Sequence, residues 1–141
     1  MQRVERAEVR VDGEVVGAIG AGLCVFVGVT HDDGDAEADR LVAKLAGLRI
    51  LDDEAGVMNR SVVEVGGEVL LVSQFTLYGD TAKGRRPTWN AAAPPEQAKP
   101  LLDRVAEGLS ATGLSVAAGR FGEYMVVELV NDGPATLMVE V

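Results

Sequence analysis

A run of nine residues, Gly22–Thr30, constrains the fold of this chain more than any other feature. Its sequence, GLCVFVGVT, is almost entirely apolar and rich in β-branched residues. Such a run is typical of a central β-strand that is covered on both faces. The 141 residues are 48% hydrophobic and 25% charged, which provides enough apolar side chains for a core around that strand. We therefore expect one folded domain, residues 1–141.

Two β-hairpins are predicted, one on each side of this strand in the sequence. Alternating valines before and after Asp12-Gly13, a dipeptide typical of two-residue turns, predict a hairpin at the start of the chain. A second hairpin is predicted from Val62–Val65, the turn Gly66-Gly67 and a strand over Val69–Thr76. The polar segment Ile50–Arg60, which precedes it, is expected to be a loop.

Two segments have apolar residues at helical spacing. Residues 38–45 predict a helix that ends at Gly47, and residues 98–109 predict a second helix that ends at Gly113. Pro100 lies inside the second helix, where it removes one backbone hydrogen bond. The first turn of that helix is therefore expected to be kinked or separate.

The end of the chain predicts three further strands, Leu114–Ala118, Tyr124–Val130 and Thr136–Val141, the last two joined by NDGPA. Residues 79–95 contain glycines and prolines without a clear period and are expected to form a loop. Hairpins and helices are segregated instead of alternating as βαβ units. This order predicts an α+β fold with a mostly antiparallel sheet or barrel-like core and two main helices.

Composition excludes several classes of protein. The single cysteine, Cys24, rules out an intramolecular disulfide, and one histidine leaves no Cys/His set for a structural zinc site. We find no signal-peptide pattern and no apolar run long enough to span a membrane, so a cytoplasmic protein is expected. The formal net charge of −9 opposes broad binding along nucleic acid.

The sequence offers no recognisable arrangement of the usual catalytic side chains. His31 lies in an acidic turn and is expected to be a solvated loop residue, while Cys24 lies in the apolar strand, where a thiol is buried and inert. No phosphate-binding loop, dinucleotide fingerprint or HExxH motif is present. Most carboxylates fall in predicted loops and helix starts, where solvation or capping is expected; only Glu128 lies inside an apolar strand.

Three polar segments remain as candidates for function. Ser73-Gln74-Phe75-Thr76 ends one apolar strand, and the segment 131–136, NDGPAT, follows another. Alternation on a half-exposed strand explains the first equally well, and a Gly-Pro turn explains the second. The basic stretch Lys83–Arg86, KGRR, can hold a few phosphates or be plain solvated surface.

Taken together, four motifs resemble those of the D-aminoacyl-tRNA deacylase family, also called D-tyrosyl-tRNA deacylase. They are SQFTL, KGRRP, GRFG and NDGPAT, and they occur in the family's order and at similar spacing. The likeness extends over nearly the whole chain, from Gln2-Arg3-Val4 to the last predicted strand. Two positions depart from the family pattern: Pro87-Thr88-Trp89 stands where Pro-Ser-Phe is common, and Glu123-Tyr124 where a small residue is common.

The resemblance implies a hydrolase of the ester that joins a D-amino acid, or glycine, to the 3′-terminal adenosine of tRNA. It implies an active homodimer without metal or cofactor, whose partners are the aminoacyl-tRNA 3′ end and a second copy of the chain. A dipeptide with a cis bond, here Gly133-Pro134, is then expected to enter the partner's pocket and to exclude L-amino acids by steric overlap.

Site residues follow from the same resemblance. Ser73, Gln74, Phe75 and Thr76 are the implied catalytic segment, with backbone N–H groups near the last two stabilising an oxyanion and the substrate 2′-hydroxyl assisting. Phe75 is implied to stack on adenine. Arg3 is implied to brace the Gly-Pro dipeptide, and Met125 to line the pocket; plain core packing explains Met125 equally well.

Two other interpretations of the same residues stay open at this point. One is a non-catalytic dimeric module that binds RNA ends or small amino compounds through the Gly-Pro segment. The other is an amidohydrolase that acts on free D-amino-acid derivatives with Thr76 as its nucleophile.

Overall fold

The computed structural model describes residues 1–141. It contains eight strands, two α-helices and one 3₁₀ turn. In chain order these are β1 (Gln2–Val11), β2 (Glu14–Ile19), β3 (Gly22–Val27), α1 (Asp35–Gly47), β4 (Leu51–Asp52), β5 (Met58–Arg60), β6 (Glu68–Ser73), the 3₁₀ turn (Phe75–Tyr78), α2 (Pro95–Ala111), β7 (Ser115–Ala118) and β8 (Val126–Thr136). The predicted α+β class is confirmed. Neither helix is long and apolar enough to cross a membrane.

β1 is the strand that connects the parts of the sheet. Six strands form one sheet. Five of them follow the order β2-β1-β3-β6-β7, and the sixth, β8, lies outside this order and pairs with β1. The pairings of β1 with β2, β3 and β8 are all antiparallel. A Cβ on Gly17 in β2 would lie 2.5 Å from the carbonyl oxygen of Ala118 in β7. The outer strands therefore approach each other, and the sheet curls toward a barrel.

The first hairpin forms as predicted from its turn. Asp12 has a φ of 49° and Gly13 a φ of 80°. Two successive positive φ angles belong to the tight turn that matches the twist of antiparallel strands, and Asp-Gly is among the dipeptides that accept them.

The second predicted hairpin is wrong. Residues 62–65 form turns, and β6 pairs instead with β3 and β7, both in parallel. Local hydrogen bonds hold the turns: the Glu64 carboxylate accepts the Ser61 N–H at 2.6 Å, and the Ser61 hydroxyl accepts the Glu64 N–H at 3.2 Å. These side chains bond the nearby backbone in place of a sheet partner. The sheet is therefore mixed, with its antiparallel part around β1.

β3 separates two apolar clusters, as expected of a strand buried on both faces. Leu23, Val25 and Val27 pack toward the helices, whereas Cys24 packs with Val9 on the other side. The strand itself ends at Val27, three residues before the predicted end.

Both predicted helices are present. At the start of α1, the Gly34 N–H donates to the Glu37 carboxylate at 2.8 Å. α2 begins at Pro95, a position where proline is tolerated because the first amides of a helix have no partner. The helix continues through Pro100, so its first turn is not a separate element.

The two predicted C-terminal strands are one strand. β8 continues through the NDGPA segment to Thr136, which pairs with Gln2 at the start of β1. Beyond it, only Leu137 bonds the sheet, by exchanging backbone hydrogen bonds of 2.8 and 2.9 Å with Met1. The prediction of a separate strand over residues 136–141 is wrong, because β8 ends at Thr136 and residues 137–141 belong to no helix or strand.

The two predicted loops differ from each other. Residues 50–60 carry the short hairpin β4–β5, whose turn is held by Asp53 through hydrogen bonds from the N–H groups of Ala55 and Val57. Residues 79–94 contain no helix or strand, as predicted.

Candidate functional site

Ser73–Thr76, the first candidate segment, lies where β6 gives way to the 3₁₀ turn. Ser73 pairs with Val27 at the end of β6, and the Gln74 N–H extends this pairing by donating to the Val27 carbonyl at 2.8 Å. The strand therefore ends before Thr76, the predicted last residue. The Gln74 side-chain amide donates to the Thr76 hydroxyl.

Two backbone amides in this segment have no hydrogen-bond acceptor. The N–H groups of Phe75 and Thr76 begin the 3₁₀ turn and bond no group of the chain. The first amides of any helical turn lack an acceptor within the turn. Both N–H groups are therefore available to a bound oxygen atom.

Phe75 presents an aromatic surface beside these amides. Its side chain is 58% exposed, and the ring of Trp89 meets it edge-on, with the ring centroids 5.5 Å apart and the planes at 77°. The indole also covers Gly79, where a Cβ would lie 2.5 Å from the indole Cζ3. No motif in the sequence predicts that Trp89 belongs to the site. Its contact depends on a glycine ten residues away, and no local pattern predicts it.

Gly133 and Pro134 lie on a protruding part of β8. Gln2 pairs with Thr136 and Val4 pairs with Asn131, so β8 has four residues, 132–135, where β1 has only Arg3. The surplus residues bulge out of the sheet. Both Gly133 and Pro134 are exposed, and the peptide bond between them is cis, as the family resemblance implies.

Asn131 closes the base of this bulge. Its side-chain amide donates to the Arg3 carbonyl at 2.9 Å and to the Ala135 carbonyl at 3.0 Å. Because Asn131 precedes the bulge and Ala135 ends it, the two bonds tie the ends of the bulge together and to β1. The NDGPAT motif thus contains its own brace.

Arg3 supports the same bulge from below. It is 6% exposed; its Nε donates to the Asp132 carbonyl at 3.2 Å, and its Nη1 to the Ile50 carbonyl at 3.0 Å. Nη1 also meets the Asp52 carboxylate at 3.1 Å. A Cβ on Gly133 would lie 2.9 Å from Arg3 Nη2. The guanidinium therefore holds the bulge against the loop before β4.

Met125 is half-buried and packs in the apolar cluster on the Cys24 side of β3. A Cβ on Gly119 would lie 2.5 Å from the Met125 sulfur, so the GRFG motif provides the space for this side chain. The Gly119 N–H donates to the Leu71 carbonyl in β6 at 3.0 Å. A cavity of about 180 Å³ nearby is lined by both Gly119 and Ser73. GRFG thus lies beside the end of β6.

The two candidate segments lie apart within one chain. β8 is three strands from β6, which corresponds to about 14 Å across the sheet at about 4.8 Å per strand. Arg3 pairs with Leu23 whereas Ser73 pairs with Val27, a further separation of about 13 Å along the strands. Gly133-Pro134 and Ser73–Thr76 therefore do not form one pocket in a single copy.

The remaining basic stretch forms an arm, Asp80–Thr88, which we call the basic arm. Its two ends bond each other, the Asp80 N–H donating to the Thr88 carbonyl at 2.8 Å and the Thr88 N–H to the Asp80 carbonyl at 3.0 Å. All residues of the arm are exposed. Trp89, the neighbour of Phe75, directly follows it.

Other candidate groups lack an environment for acid-base chemistry. His31 is exposed, with Nε2 2.7 Å from the Asn90 carbonyl oxygen. Burial raises the pKa of the Cys24 thiol to about 11, in agreement with the expected inert cysteine. Hydrogen bonds from Arg10 and Arg6 hold the pKa of Glu128 below its usual value, the opposite of what a general acid needs. No three His, Cys, Asp or Glu side chains are grouped to hold a metal ion.

A second, larger cavity lies elsewhere, between β3, the helices and the C-terminal segment 136–141. Its volume is about 660 Å³ and its lining is mostly apolar. Leu77 and Tyr78 reach it, but none of Ser73–Thr76, Gly133 or Pro134 lines it. This cavity is therefore distinct from the candidate site.

Solved structures identify the class of protein that this fold and these segments define. The chain aligns with the c-Myc DNA Unwinding Element Binding Protein with a TM-score of 0.92 and 41% identity, over 99% of this chain and 95% of that one. It shares its fold with a probable eukaryotic D-amino acid tRNA deacylase, with a TM-score of 0.79 and 19% identity, over 94% and 92% of the two chains. The class is thus that of the small barrel-like α+β proteins with this deacylase fold.

Sequence comparison then assigns the family. The family model described as D-Tyr-tRNA(Tyr) deacylase matches residues 1–140, and the chain belongs to that family. The D-aminoacyl-tRNA deacylase of Symbiobacterium thermophilum is 58% identical over 99% of this chain and 93% of its own. Those of Kineococcus radiotolerans and Streptomyces coelicolor are 59% and 57% identical, over 99% and 100% of this chain and 96% and 97% of theirs. The protein is an enzyme, a D-aminoacyl-tRNA deacylase.

Proposed function

We propose that this enzyme hydrolyses the ester between a D-amino acid, or glycine, and the 3′-terminal adenosine of tRNA in the cytoplasm, without a metal or cofactor, and that Gly133-Pro134 excludes L-amino acids. One observation carries the proposal: the exposed Gly-Pro bulge is held from two sides by Asn131 and Arg3. A backbone element held in this way can reject a substrate by its shape.

The proposed active unit is a homodimer in which the bulge of one copy enters the pocket of the other. Three observations support it. Gly133 and Pro134 are exposed in one copy, they lie far from Ser73–Thr76, and the outer edge of β8 has no partner strand. A second copy would bring the two segments together and cover the exposed bulge.

Chiral selection follows from the stiffness of the bulge. An L side chain would point toward the backbone of Gly133-Pro134, whereas a D side chain would point away and glycine has none. Discrimination of about 1,000-fold requires about 4 kcal/mol in the transition state. Overlap with a fixed backbone provides a penalty of this size, whereas a side chain that can rotate away does not.

Catalysis in this proposal uses backbone groups and the substrate itself. The free N–H groups of Phe75 and Thr76 donate to the oxygen on which negative charge develops during attack on the ester. The ribose 2′-hydroxyl of the terminal adenosine orients the attacking water. Phe75, with its exposed ring, stacks on the adenine, and Met125 lines the pocket.

The decisive experiment compares D-Tyr-tRNA and L-Tyr-tRNA as substrates. We expect release of D-tyrosine and no measurable release of L-tyrosine. A non-catalytic module that binds RNA ends would release neither, and equal release of both would refute the gate. Analytical ultracentrifugation of the same sample tests the dimer.

A second experiment separates backbone catalysis from a Thr76 nucleophile. Backbone catalysis predicts that Thr76→Ala largely keeps kcat, and that D-Tyr-tRNA ending in 2′-deoxyadenosine is cleaved more slowly. A nucleophile predicts complete loss in Thr76→Ala with partial recovery in Thr76→Ser, which keeps a hydroxyl.

A further inference from the structure

The basic arm concentrates unpaired positive charge in an acidic protein. The formal net charge of the chain is −9, yet residues 81–95 contain no Asp or Glu. Lys83, Arg85 and Arg86 are exposed and form no ion pair. By contrast, seven of the 13 basic side chains are paired with carboxylates: Arg3, Arg6, Arg10, Arg40, Arg60, Lys99 and Arg104. The only carboxylate in the arm, Asp80, accepts the Ala82 N–H at 2.8 Å.

The structure fixes this charge close to the exposed aromatic surface. The hydrogen bonds between Asp80 and Thr88 close the base of the arm, and Gly84, with a φ of 72°, lies among the three cations at its tip. The residue after the base is Trp89, which contacts Phe75. The position of the cations is therefore coupled to the position of the ring.

We propose that Lys83, Arg85 and Arg86 bind backbone phosphates of the single strand that leads to the terminal adenosine of the tRNA. The proposal rests on the proposed function, because it takes Phe75 as the place of the terminal base. Each limb of the arm has about three residues and reaches about 10 Å at about 3.3 Å per residue. A stacked strand rises about 3.4 Å per nucleotide, so this reach matches the nucleotides directly before the adenosine.

Unpaired cations are better suited to bind phosphate than paired ones. A cation already held by a carboxylate gains less from a phosphate, since the carboxylate must first be displaced. The net negative surface repels the rest of the tRNA, so productive binding depends on a local cationic contact. The arm gives this contact without base-specific recognition.

Salt dependence of tRNA binding tests the proposal directly. The variant is Lys83→Gln/Arg85→Gln/Arg86→Gln in the full chain, and the charge-matched control is Arg40→Gln/Lys44→Gln/Arg49→Gln, on and just after α1. The dissociation constant for uncharged tRNA is measured by fluorescence anisotropy between 0.05 and 1 M NaCl. Each lost phosphate contact on a single strand lowers the log–log slope by about 0.7, so three contacts lower it by about 2. With that slope difference, the ratio of the variant's dissociation constant to that of wild type is about 100-fold larger at 0.1 M NaCl than at 1 M NaCl.

The expected result is a reduced slope in the arm variant and a slope near wild type in the α1 control. Hydrolysis of D-tyrosyl-adenosine, which has no phosphate, should be unchanged in the arm variant. An arm variant with the wild-type slope, or with the slope of the control, overturns the proposal. Equal loss on D-tyrosyl-adenosine also overturns it, because the arm then supports the fold or the dimer. If wild type binds tRNA, the arm variant shows the reduced slope, and wild type cleaves neither D-Tyr-tRNA nor D-tyrosyl-adenosine, the proposed function is refuted while phosphate binding by the basic arm is supported.

Discussion

Arg3 is the residue whose replacement tests the rigidity of the gate most directly. In Arg3→Lys, one ammonium replaces a planar guanidinium that bonds the Asp132 and Ile50 carbonyls at once. The compact ammonium can satisfy only one of these acceptors in the same place. A lost hydrogen bond from a charged donor costs about 1.5–3 kcal/mol. The carboxylates of Asp52 and Asp132 are about half exposed and regain water, so they add little.

We therefore expect Arg3→Lys to lower the free energy of unfolding by about 2 kcal/mol. For 141 residues this corresponds to a fall in Tm of about 7 °C, measured at a fixed protein concentration. Loosening of the bulge should also lower the D-over-L ratio of kcat/KM by about tenfold, which corresponds to about 1.4 kcal/mol of lost steric penalty. The control is Arg49→Lys, an exposed arginine that bonds Asn59. An Arg3→Lys enzyme with the Tm and selectivity of Arg49→Lys would refute the bracing role.

Three further predictions concern the aromatic pair and the buried thiol. Phe75→Ala should raise KM for D-Tyr-tRNA about 5- to 150-fold at nearly constant kcat, because a stacked base contributes about 1–3 kcal/mol. Phe75→Tyr, which keeps an aromatic ring, should leave KM unchanged. An unchanged KM in Phe75→Ala would refute the stacking of Phe75 on adenine. Gly79→Ala places a Cβ 2.5 Å from the indole, so the emission of Trp89, the only tryptophan, should shift and KM should rise; an unaltered spectrum contradicts this. Burial raises the pKa of the Cys24 thiol from 9.0 to about 11. The stability contributed by burying the neutral thiol is therefore fully present below pH 9 and is lost as the pH rises to about 11. Between pH 8 and 11 the free energy of unfolding of wild type should fall by about 2–3 kcal/mol more than that of Cys24→Ala, and parallel curves would contradict the raised pKa.

Local signals in the sequence are sufficient for the elements that local chemistry controls. Asp12-Gly13 predicts its hairpin because the turn itself selects residues that accept positive φ. β3 is predicted because burial on both faces requires an uninterrupted apolar run. The same reasoning fails at residues 62–65, where an apolar run beside Gly66-Gly67 looks like a strand. There the Ser61–Glu64 bonds form turns, and β6 finds a partner more than 40 residues earlier in the chain.

In the candidate site, too, local motifs are visible in the sequence, whereas contacts between distant segments are not. Ser73–Thr76 and Gly133-Pro134 are visible in the sequence as polar motifs, and the family resemblance assigns Arg3 and Met125. Trp89 could not be predicted, because its contact with Phe75 joins a loop to the 3₁₀ turn and depends on Gly79. The separation of the two motifs within one copy also follows only from the strand order.

The central position of β1 has a consequence for synthesis of the protein. β1 is made before β8, which covers one whole edge of it and follows about 120 residues later. At roughly 5–20 residues per second, that edge stays open on the ribosome for about 6–25 s. An open edge can recruit strands from other chains, and interspersed charges such as Arg6, Glu8 and Arg10 oppose this. Arg6 and Arg10, which later pair with Glu128, are thus already present as charges on β1 before this partner is made.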